Sequence, residues 1–306
     1  MTEARAHHFV PQCWLTGFTD SGEQDSRLYV TDLARKKQWP SNPQNTGHRR
    51  DFNRVKDPSL EDPLAIEKLF SKIESDVAPL FRSMFQQRRG PSNGDELGML
   101  LEYMAIQWVR VPTFRAIVDR TVFSHFNADA LSSQEAWEST LRKAAIPPDA
   151  LGTDYQKMME AMNSGHITFT GQPGYYLRHS ANLIQAIDDS LKKMKWDWLI
   201  SEKGNFIGSD SPVALDGPEN KPVGFRNADV VSYPVNRHVV LYGTPEPVPP
   251  QIVTTKLIAR HNTFAMLSAD EQIYSHRPDF HWLDVSNKSQ NDWKLFSREE
   301  FYLSNL

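Results

Sequence analysis

The first residues of the chain constrain its fold most, because they are apolar where a terminus is normally polar and frayed. Apolar side chains follow one another here at helical spacing, and they are Phe9, Val10, Trp14, Leu15 and Phe18. Large side chains of this kind are buried in most folded proteins. We therefore expect this segment to be tied into the core and to carry His8 with it.

Composition bounds the classes of protein to which such a chain can belong. With 306 residues, 39% of them hydrophobic and 24% charged, it can bury a substantial core. The net charge of -4 argues against a surface that coats nucleic acid, although it allows a local basic groove. Cys13 is the only cysteine, which excludes an intrachain disulfide and a cysteine-based zinc site. The sequence has no apolar run of membrane-spanning length and no signal peptide, so we expect a cytoplasmic protein that does not enter a membrane.

The spacing of apolar residues predicts helices in the first half of the chain and strands in the second. The expected helices cover residues 62–88, 92–127 with a bend or break at Pro112, 132–145, 154–163, 179–194 and 251–269. The expected strands cover residues 27–33, 166–170, 230–233 and 238–242, a return strand from residue 38, and a hairpin of residues 195–200 with 205–208. We predict a single compact α+β domain over residues 1–306, with a helix-rich first half packed against a small, mainly antiparallel sheet. Its helical part covers about 60–165, its strand-rich part about 166–250 and its C-terminal helix about 251–270.

The adjacent histidines His7 and His8 are the first candidates for chemistry. Imidazole titrates nearest to neutral pH, so either ring could serve as a metal ligand or a general base. The side chains of adjacent residues point in different directions, so we do not expect His7 and His8 to bind the same metal ion. The structural alternative is a partly buried histidine bonded to backbone beside an exposed one.

Gln107 and Arg110 lie three residues apart and share one face of the second long helix. An arginine on this apolar background has to be paired, and its guanidinium could clamp a carboxylate or a phosphate. The alternative is a structural ion pair with Glu67, Glu74 or Asp210.

Carboxylates supply the next candidates. Asp210 follows a short apolar strand and precedes a proline turn, where it could bind a metal or act as a general base. An aspartate before proline also forms ordinary turns by capping its own backbone. Glu67 and Glu74 lie seven residues apart on nearly one helical face, so they could both reach a site or could form a solvated edge.

Residues 48–54 form a basic loop with one aromatic residue, and this loop is the best candidate for phosphate contacts. Its arginines are Arg49, Arg50 and Arg54. The alternative is a solvated loop. His276 and His281 match no standard metal motif in their spacing, and we predict no role for them.

The opening His8-Phe9-Val10-Pro11-Gln12, with Leu15 and Phe18, resembles the H-Y-V-P-Q-x-x-L-x-x-F start of the bacterial domain-of-unknown-function 4238 family. Further matches follow in the expected order, at Glu67-Lys68-Leu69, Ile73-Glu74, Gln107-x-x-Arg110-x-Pro112, residues 206–213, Tyr233-Pro234-Val235 and Asn262. The chain departs from the family pattern at Cys13-Trp14, where an aromatic pair is usual, and at residues 233–235, where the family tends to Pro-Leu.

The resemblance implies a bacterial protein without an established activity. Some relatives lie in gene neighbourhoods that carry anti-phage defence, which implies a role in immunity by association. The resemblance also adds weight to the polar residues inside the matched motifs, which are His8, Gln12, Arg110, Asp210 and Asn262.

Two functions from different classes follow. The first is a defence effector that hydrolyses a phosphodiester or a nucleotide, with His8 as general base or metal ligand, Asp210 as metal ligand and Arg110 as phosphate clamp. Supporting roles fall to Gln12, Glu67, Gln107 and Asn262. Residues 48–54 would hold the nucleic acid or nucleotide, and a divalent metal would be the cofactor.

The alternative is a non-catalytic sensor or binding protein for a phage product, such as a phage protein, or for a small metabolite. In that case His8, Arg110 and Asp210 form a structural network. Convergence of the polar residues in a concave site favours the hydrolase, and dispersal favours the binding protein. An enzyme acting on a small aromatic or amide substrate is a third class, to which no residues are assigned.

Overall fold

The computed structural model describes residues 6–53, 64–143, 154–164, 173–218 and 221–304. The helices are α1 (Gln12–Leu15), α2 (Ala65–Gln87), α3 (Gly94–Arg110), α4 (Pro112–Ala130), α5 (Gln134–Lys143), α6 (Tyr155–Asn163), α7 (Pro173–Leu191), α8 (Thr255–Ser268) and α9 (Arg298–Ser304). The strands are β1 (Ala6–His8), β2 (Leu28–Asp32), β3 (Lys37–Ser41), β4 (His48–Arg50), β5 (Lys195–Ile200), β6 (Gly208–Ser209), β7 (Ala214–Asp216), β8 (Val230–Asn236), β9 (Val239–Thr244), β10 (Gln272–Ser275), β11 (Trp282–Leu283) and β12 (Ser289–Gln290). The fold is α+β, as the sequence predicts.

The N-terminal segment is tied into the core, which confirms the expectation from its apolar residues. β1 pairs antiparallel with β4, and α1 follows directly after Pro11. The side chains of Trp14, Leu15 and Phe18 are buried, and Trp14 Nε1 donates a hydrogen bond of 2.9 Å to the carbonyl of Pro234. This bond fastens α1, near the start of the chain, to β8 in the strand-rich part.

The two long helices α2 and α3 follow local signals in the sequence. Asn93 caps α3, because its side chain accepts a 2.9 Å hydrogen bond from the Glu96 N–H. The predicted break at Pro112 is confirmed: α3 ends at Arg110, and Val111 is extended with ψ of 155°. A residue before proline is disfavoured in the helical region, which explains the break. The predicted start at 62–63 and the predicted strand at 166–170 lie outside the described residues.

Two antiparallel sheets are present in the described part of the chain. One has the strand order β3-β2-β10-β6, and the other has the order β5-β9-β8-β7. Two further strand pairs, β1 with β4 and β11 with β12, stand apart from them. Half of the strand pairings among the described residues join successive strands, and the other half, such as β2 with β10 and β5 with β9, join strands that are far apart in the chain.

The predicted hairpin of residues 195–200 with 205–208 is wrong. β5 pairs with β9 along its whole length, and β6 pairs with β10 in the other sheet. Residues 201–206 instead pack on the β8–β9 turn, where the Ser201 N–H donates to the carbonyl of His238 and the Phe206 N–H to that of Arg237. β9 is buried throughout, so pairing with β5 protects its polar backbone better than a short local hairpin would.

The largest apolar cluster lies where α2, α3, the N-terminal segment and β8–β9 meet. A second cluster joins α8 and β10 to the C-terminal segment through residues such as Met266, Ile273 and Trp282. α7 begins at Pro173 rather than at residue 179, and the short elements after α8 have no counterpart in the prediction. None of the helices in the described ranges is long and apolar enough to cross a membrane.

Candidate functional site

Arg110 lies at the end of α3 and holds the N-terminal strand in place. Its Nη2 and Nε donate to the carbonyl of His8 at 2.6 and 3.2 Å, and Nη2 lies 2.7 Å from Glu74 Oε1. The guanidinium also lies over the ring of Phe70, 4.5 Å from its centroid. The Arg110 side chain is 1% exposed, and among the three predicted ion-pair partners Glu74 is the one that it contacts.

His8 and its neighbours form the rest of this N-terminal network. Gln107 Nε2 donates to the carbonyl of Phe9 at 3.2 Å, and Gln12 Nε2 lies 3.3 Å from His8 Nε2. Burial lowers the pKa of His8 to about 4, and the nearby His48 and Arg110 add to that effect. The structure thus brings His8, Gln12, Gln107 and Arg110 together. The two side chains on α3, Gln107 and Arg110, donate to backbone carbonyls.

His7 is the more buried member of the histidine pair, with no exposed surface. Its Nδ1 accepts a hydrogen bond of 2.9 Å from the N–H of Asn53, and its Nε2 has no hydrogen-bond partner within the described ranges. Asn53 Nδ2 in turn donates to Glu67 Oε2 at 2.8 Å. Glu67 therefore supports the loop that covers His7, and among the described residues it makes no hydrogen bond or ion pair with Arg110.

Asp210 lies in a second, separate network. Its Oδ1 accepts from the N–H of Asp270 at 2.7 Å, and its Oδ2 accepts from those of Glu271 and Gln272 at 2.9 Å each. Burial raises the pKa of Asp210 to about 7, while the three N–H groups oppose that rise because they favour the ionised form. The carboxylate thus caps the turn between α8 and β10.

Asn262 belongs to a third place in the fold. Its Nδ2 donates to the carbonyls of Asn205 and His281 at 3.0 and 2.9 Å, and its Oδ1 accepts from the Ile207 N–H at 3.2 Å. Both Nδ2 and Oδ1 of Asn262 are thus hydrogen-bonded to backbone groups. Asn262 therefore anchors the 205–207 segment and the chain after β10 to α8.

The basic loop is partly strand and partly turn. Arg49 and Arg50 lie on β4 with exposed side chains, and Arg54 lies outside the described residues. Arg49 lies 3.9 and 4.0 Å from the carboxylates of Asp270 and Glu271, and Arg50 lies 3.6 Å from that of Asp51. Each described arginine thus has an acidic neighbour that competes with a phosphate.

The predicted metal ligands do not form a metal centre in the described part of the chain. His8 and Asp210 share no hydrogen bond there, and no group of three or more His, Cys, Asp or Glu side chains is placed to hold an ion. Asp210 and Arg49 do line one small cavity of about 140 Å³ beside β4. The divalent metal remains a prediction without a ligand set among these residues.

A cleft of about 650 Å³ gathers residues for which the sequence suggested no role. It lies between residues 201–207, the start of α8 and the chain that follows β10. Its ionisable lining residues are Glu202, Lys203, His276, Arg277, Asp279 and His281. The volume falls in the range of small-molecule sites, which is about 300–1,000 Å³.

One end of this cleft is basic. Burial lowers the pKa of His276 to about 4, and Arg237 and Arg277 lower it further. Arg237 Nε donates to His238 Nε2 at 3.2 Å, and His238 Nδ1 lies 2.9 Å from the carbonyl of Ser201 in the cleft wall. The histidines face cations here, so both are uncharged at neutral pH.

A third arginine lies close to this end. Burial lowers the pKa of both Arg237 and His238, Arg88 lowers both further, and Arg277 acts on Arg237 in the same way. Among the described residues none of the three arginines lies within 4 Å of a carboxylate oxygen, although Asp20 is near enough to raise the pKa of Arg237. We call Arg88, Arg237 and Arg277 the arginine cluster.

Sequence reasoning missed the cleft because its parts are far apart in the chain. Arg88 ends α2, Arg237 forms the β8–β9 turn, and His276 and Arg277 follow β10. The local signal that the sequence offers is the pair His276 and His281 around Arg277, and its spacing matches no standard metal motif.

The fold and these contacts define an α+β protein in which an apolar N-terminal segment is fastened to helix α3 by a buried arginine. Residues 6–279 match the model of a family described as "Protein of unknown function (DUF4238)". The chain belongs to this family, which confirms the predicted resemblance. No curated protein and no solved structure gives a significant match to the chain.

Proposed function

We propose that the protein binds a small phosphate-bearing ligand, such as a nucleotide, in the cleft beside the arginine cluster. The observation that carries this proposal is the cluster itself: three arginines without an ion pair among the described residues, of which Arg277 lines a cleft of ligand size. Like charges held together repel one another, and a bound phosphate relieves that repulsion. Arginine also matches phosphate with two parallel N–H donors.

The rest of the cleft suits a nucleotide. Ile200 lines it, is 37% exposed and offers apolar surface for a base, and Asn205 and Thr255 offer polar groups for a sugar. In the lining itself Lys203 and Arg277 are balanced by Glu202 and Asp279, so the cleft as a whole has no positive excess. A ligand with one anionic end and one neutral end therefore fits better than a uniformly charged polymer.

Binding without catalysis is supported by how the fold uses the predicted catalytic residues. Arg110, Asp210 and Asn262 donate to or accept from backbone groups in three separate networks. Their hydrogen-bonding capacity is directed at the chain rather than at a common point. This dispersal favours the sensor over the hydrolase, and the family resemblance supports placing such a sensor in bacterial defence.

A hydrolase that uses the same cleft is the second candidate. His276 and His281 line the cleft together with Asp279, so a general base and an arginine clamp could act on one substrate there. This version of the hydrolase uses residues different from His8 and Asp210. It predicts turnover of the ligand that the first candidate only binds.

Calorimetric titration with ATP tests the binding proposal on the wild type and on Arg277→Gln and Arg237→Gln. A charge-assisted hydrogen bond contributes about 1.5–3 kcal/mol, so each substitution should weaken binding by about tenfold or more. Arg142→Gln on α5 is the matched control, because Arg142 is exposed and makes only a 3.8 Å contact with Glu138. Its affinity for ATP should equal that of the wild type.

The same samples separate the two candidates. Phosphorus NMR of the ATP after incubation should show no new phosphate species if the protein only binds. Hydrolysis that is lost in His276→Gln would establish the second candidate instead. Wild-type protein that binds neither ATP nor inorganic phosphate, or variants that bind as tightly as the wild type, would refute the proposal.

A further inference from the structure

A second cavity, separate from the cleft, lies between the ends of β8 and β9 and one face of α8. Its volume is about 410 Å³, toward the lower end of the range for small-ligand sites. Val230, Val248 and Leu257 supply apolar walls, and Tyr242 and Phe264 supply aromatic ones. Most of this lining is apolar, which is the usual character of a site for an uncharged small molecule.

His261 is the polar group that the fold holds in this cavity. Its side chain is 5% exposed and lines the cavity, and its Nδ1 lies 2.8 Å from Ser232 Oγ on β8. The hydroxyl fixes the ring plane, whereas Nε2 has no hydrogen-bond partner among the described residues. A ring nitrogen without a protein partner gains a bond when a ligand presents the complementary group.

Two aromatic rings flank His261 inside the same cavity. The ring centroids of Tyr242 and Phe264 both lie 5.7 Å from that of His261, at interplanar angles of 52° and 89°. Rings in such tilted and edge arrangements accept a further planar ring at van der Waals distance. The walls therefore favour a flat, unsaturated ligand over a branched aliphatic one.

The charges around the cavity disfavour an anion. Arg260 is offset by Asp229 and Glu246, which line the same space, so the charged lining residues carry one net negative charge. Arg260 is also engaged with the ring of Phe264, 5.4 Å from its centroid. This cavity thus differs from the cleft, whose lining includes Arg277 of the arginine cluster.

We propose that the cavity at His261 binds a neutral, planar heteroaromatic molecule of one or two rings, hydrogen-bonded to His261 Nε2 and in contact with the rings of Tyr242 and Phe264. The site does not depend on the phosphate site of the cleft. Its ligand class follows from the aromatic walls, the uncharged imidazole of His261 and the lack of a positive excess.

The test compares two bicyclic probes of the same shape by ligand-observed NMR and titration. Benzimidazole carries one ring donor and one ring acceptor, so it can pair with either tautomer of His261, whereas indene carries neither. One buried hydrogen bond should make benzimidazole bind about tenfold more tightly than indene. Nitrogen NMR of labelled histidine should show the His261 Nε2 signal move on addition of benzimidazole.

Variants connect that difference to the cavity. The double variant His261→Phe, Ser232→Ala removes the polar pair without leaving a lone hydroxyl, and it should bind the two probes equally. Leu257→Trp fills the cavity from α8 and should bind neither probe, even if the double variant does not fold. Leu69→Trp is the control, because Leu69 is 48% exposed on α2; it should behave as the wild type.

Several outcomes would overturn the proposal. These are equal affinity of the wild type for benzimidazole and indene, absence of benzimidazole binding at millimolar concentration, and undiminished binding to Leu257→Trp. An ATP titration that fails while the benzimidazole difference stands would reject the cleft and leave this site intact.

Discussion

Replacing Asp210 by asparagine removes one of the two oxygens that hold the turn between α8 and β10. In the folded protein one oxygen serves the Asp270 N–H, and the other serves the N–H groups of Glu271 and Gln272. An amide oxygen can keep the two bonds of the second position, but the amide nitrogen then faces the Asp270 N–H, donor against donor. At least one buried N–H therefore loses its acceptor, whichever way the amide is turned.

The cost follows from these bonds. A hydrogen bond to a charged group contributes about 1.5–3 kcal/mol, and the two retained bonds lose the charge of their acceptor. The substitution also removes the cost of burying the carboxylate charge, which raises the pKa of Asp210, so the N–H left without an acceptor dominates. We expect Asp210→Asn to lower the free energy of unfolding by about 1–3 kcal/mol. Asp210→Ala leaves all three N–H groups without this acceptor and should cost about 5 kcal/mol.

Urea denaturation at about pH 8 measures this effect, because Asp210 is then ionised above its pKa of about 7 in the folded protein. Asp270→Asn in the same turn is the matched control: its carboxylate is 36% exposed and 3.9 Å from Arg49. That change should stay within about 0.5 kcal/mol. An Asp210→Asn midpoint equal to the wild type would refute a capping role. A divalent-metal stabilisation of the wild type that Asp210→Asn lacks would restore Asp210 as a metal ligand.

Three further predictions concern stability, and urea midpoints at constant m-value check each of them. Arg110→Met leaves Glu74 without its cation and should cost about 3–5 kcal/mol, whereas adding Glu74→Leu should recover at least about 1 kcal/mol; no recovery would contradict the pairing. His261 has its pKa lowered by burial from 6.5 to about 3, so it binds a proton in the unfolded chain before the folded one, and the free energy of unfolding should fall by up to about 4 kcal/mol as the pH drops through that window. His261→Phe should lose this pH dependence, and an unchanged acid profile would show that the ring is protonated when folded. Gly208→Ala places a methyl group 2.4 Å from an indole carbon and should cost more than about 2 kcal/mol, whereas Gly98→Ala in α3 meets nothing within 4 Å and should stabilise by about 0.5–1 kcal/mol.

The parts of the fold that local signals determine could be predicted from the sequence. Asn93 caps α3 through the next turn, and Pro112 forces its neighbour out of the helical region, so both boundaries follow from a few residues. The burial of Trp14 follows in the same way, because no solvent-exposed arrangement suits so apolar a segment. These signals act over one or two turns and need no knowledge of the rest of the chain.

Strand pairing could not be predicted, because the choice of partner depends on distant segments. Residues 195–200 and 205–208 have the length and the turn of a hairpin, yet each strand has a better partner elsewhere. β5 pairs with the fully buried β9, and β6 pairs with β10 in the other sheet. A hairpin that the local sequence favours does not form when pairing with a distant strand satisfies more of the buried backbone N–H and C=O groups.

The candidate site shows the same limit for side chains. Arg110 and Asp210 fall inside motifs that match the family, and each binds backbone: Arg110 the carbonyl of His8, and Asp210 the N–H groups of 270–272. A polar side chain that satisfies backbone inside a core is as indispensable to a fold as an active-site residue is to a reaction, and the sequence presents the two alike. Their difference lies in what remains unsatisfied after folding.

That difference determines where the ligands of this protein are to be sought. Arg237 and Arg277 keep charge that no described carboxylate pairs, and His261 keeps a ring nitrogen that no described group occupies. Charged and polar groups that lack a partner in the folded protein lower the free energy of unfolding, so a chain that paired them internally would be more stable. Because these residues lie beside cavities of ligand size, the cost is recovered when a ligand enters. The cleft and the His261 cavity, rather than the N-terminal network, are therefore the places where binding should raise the stability of the protein.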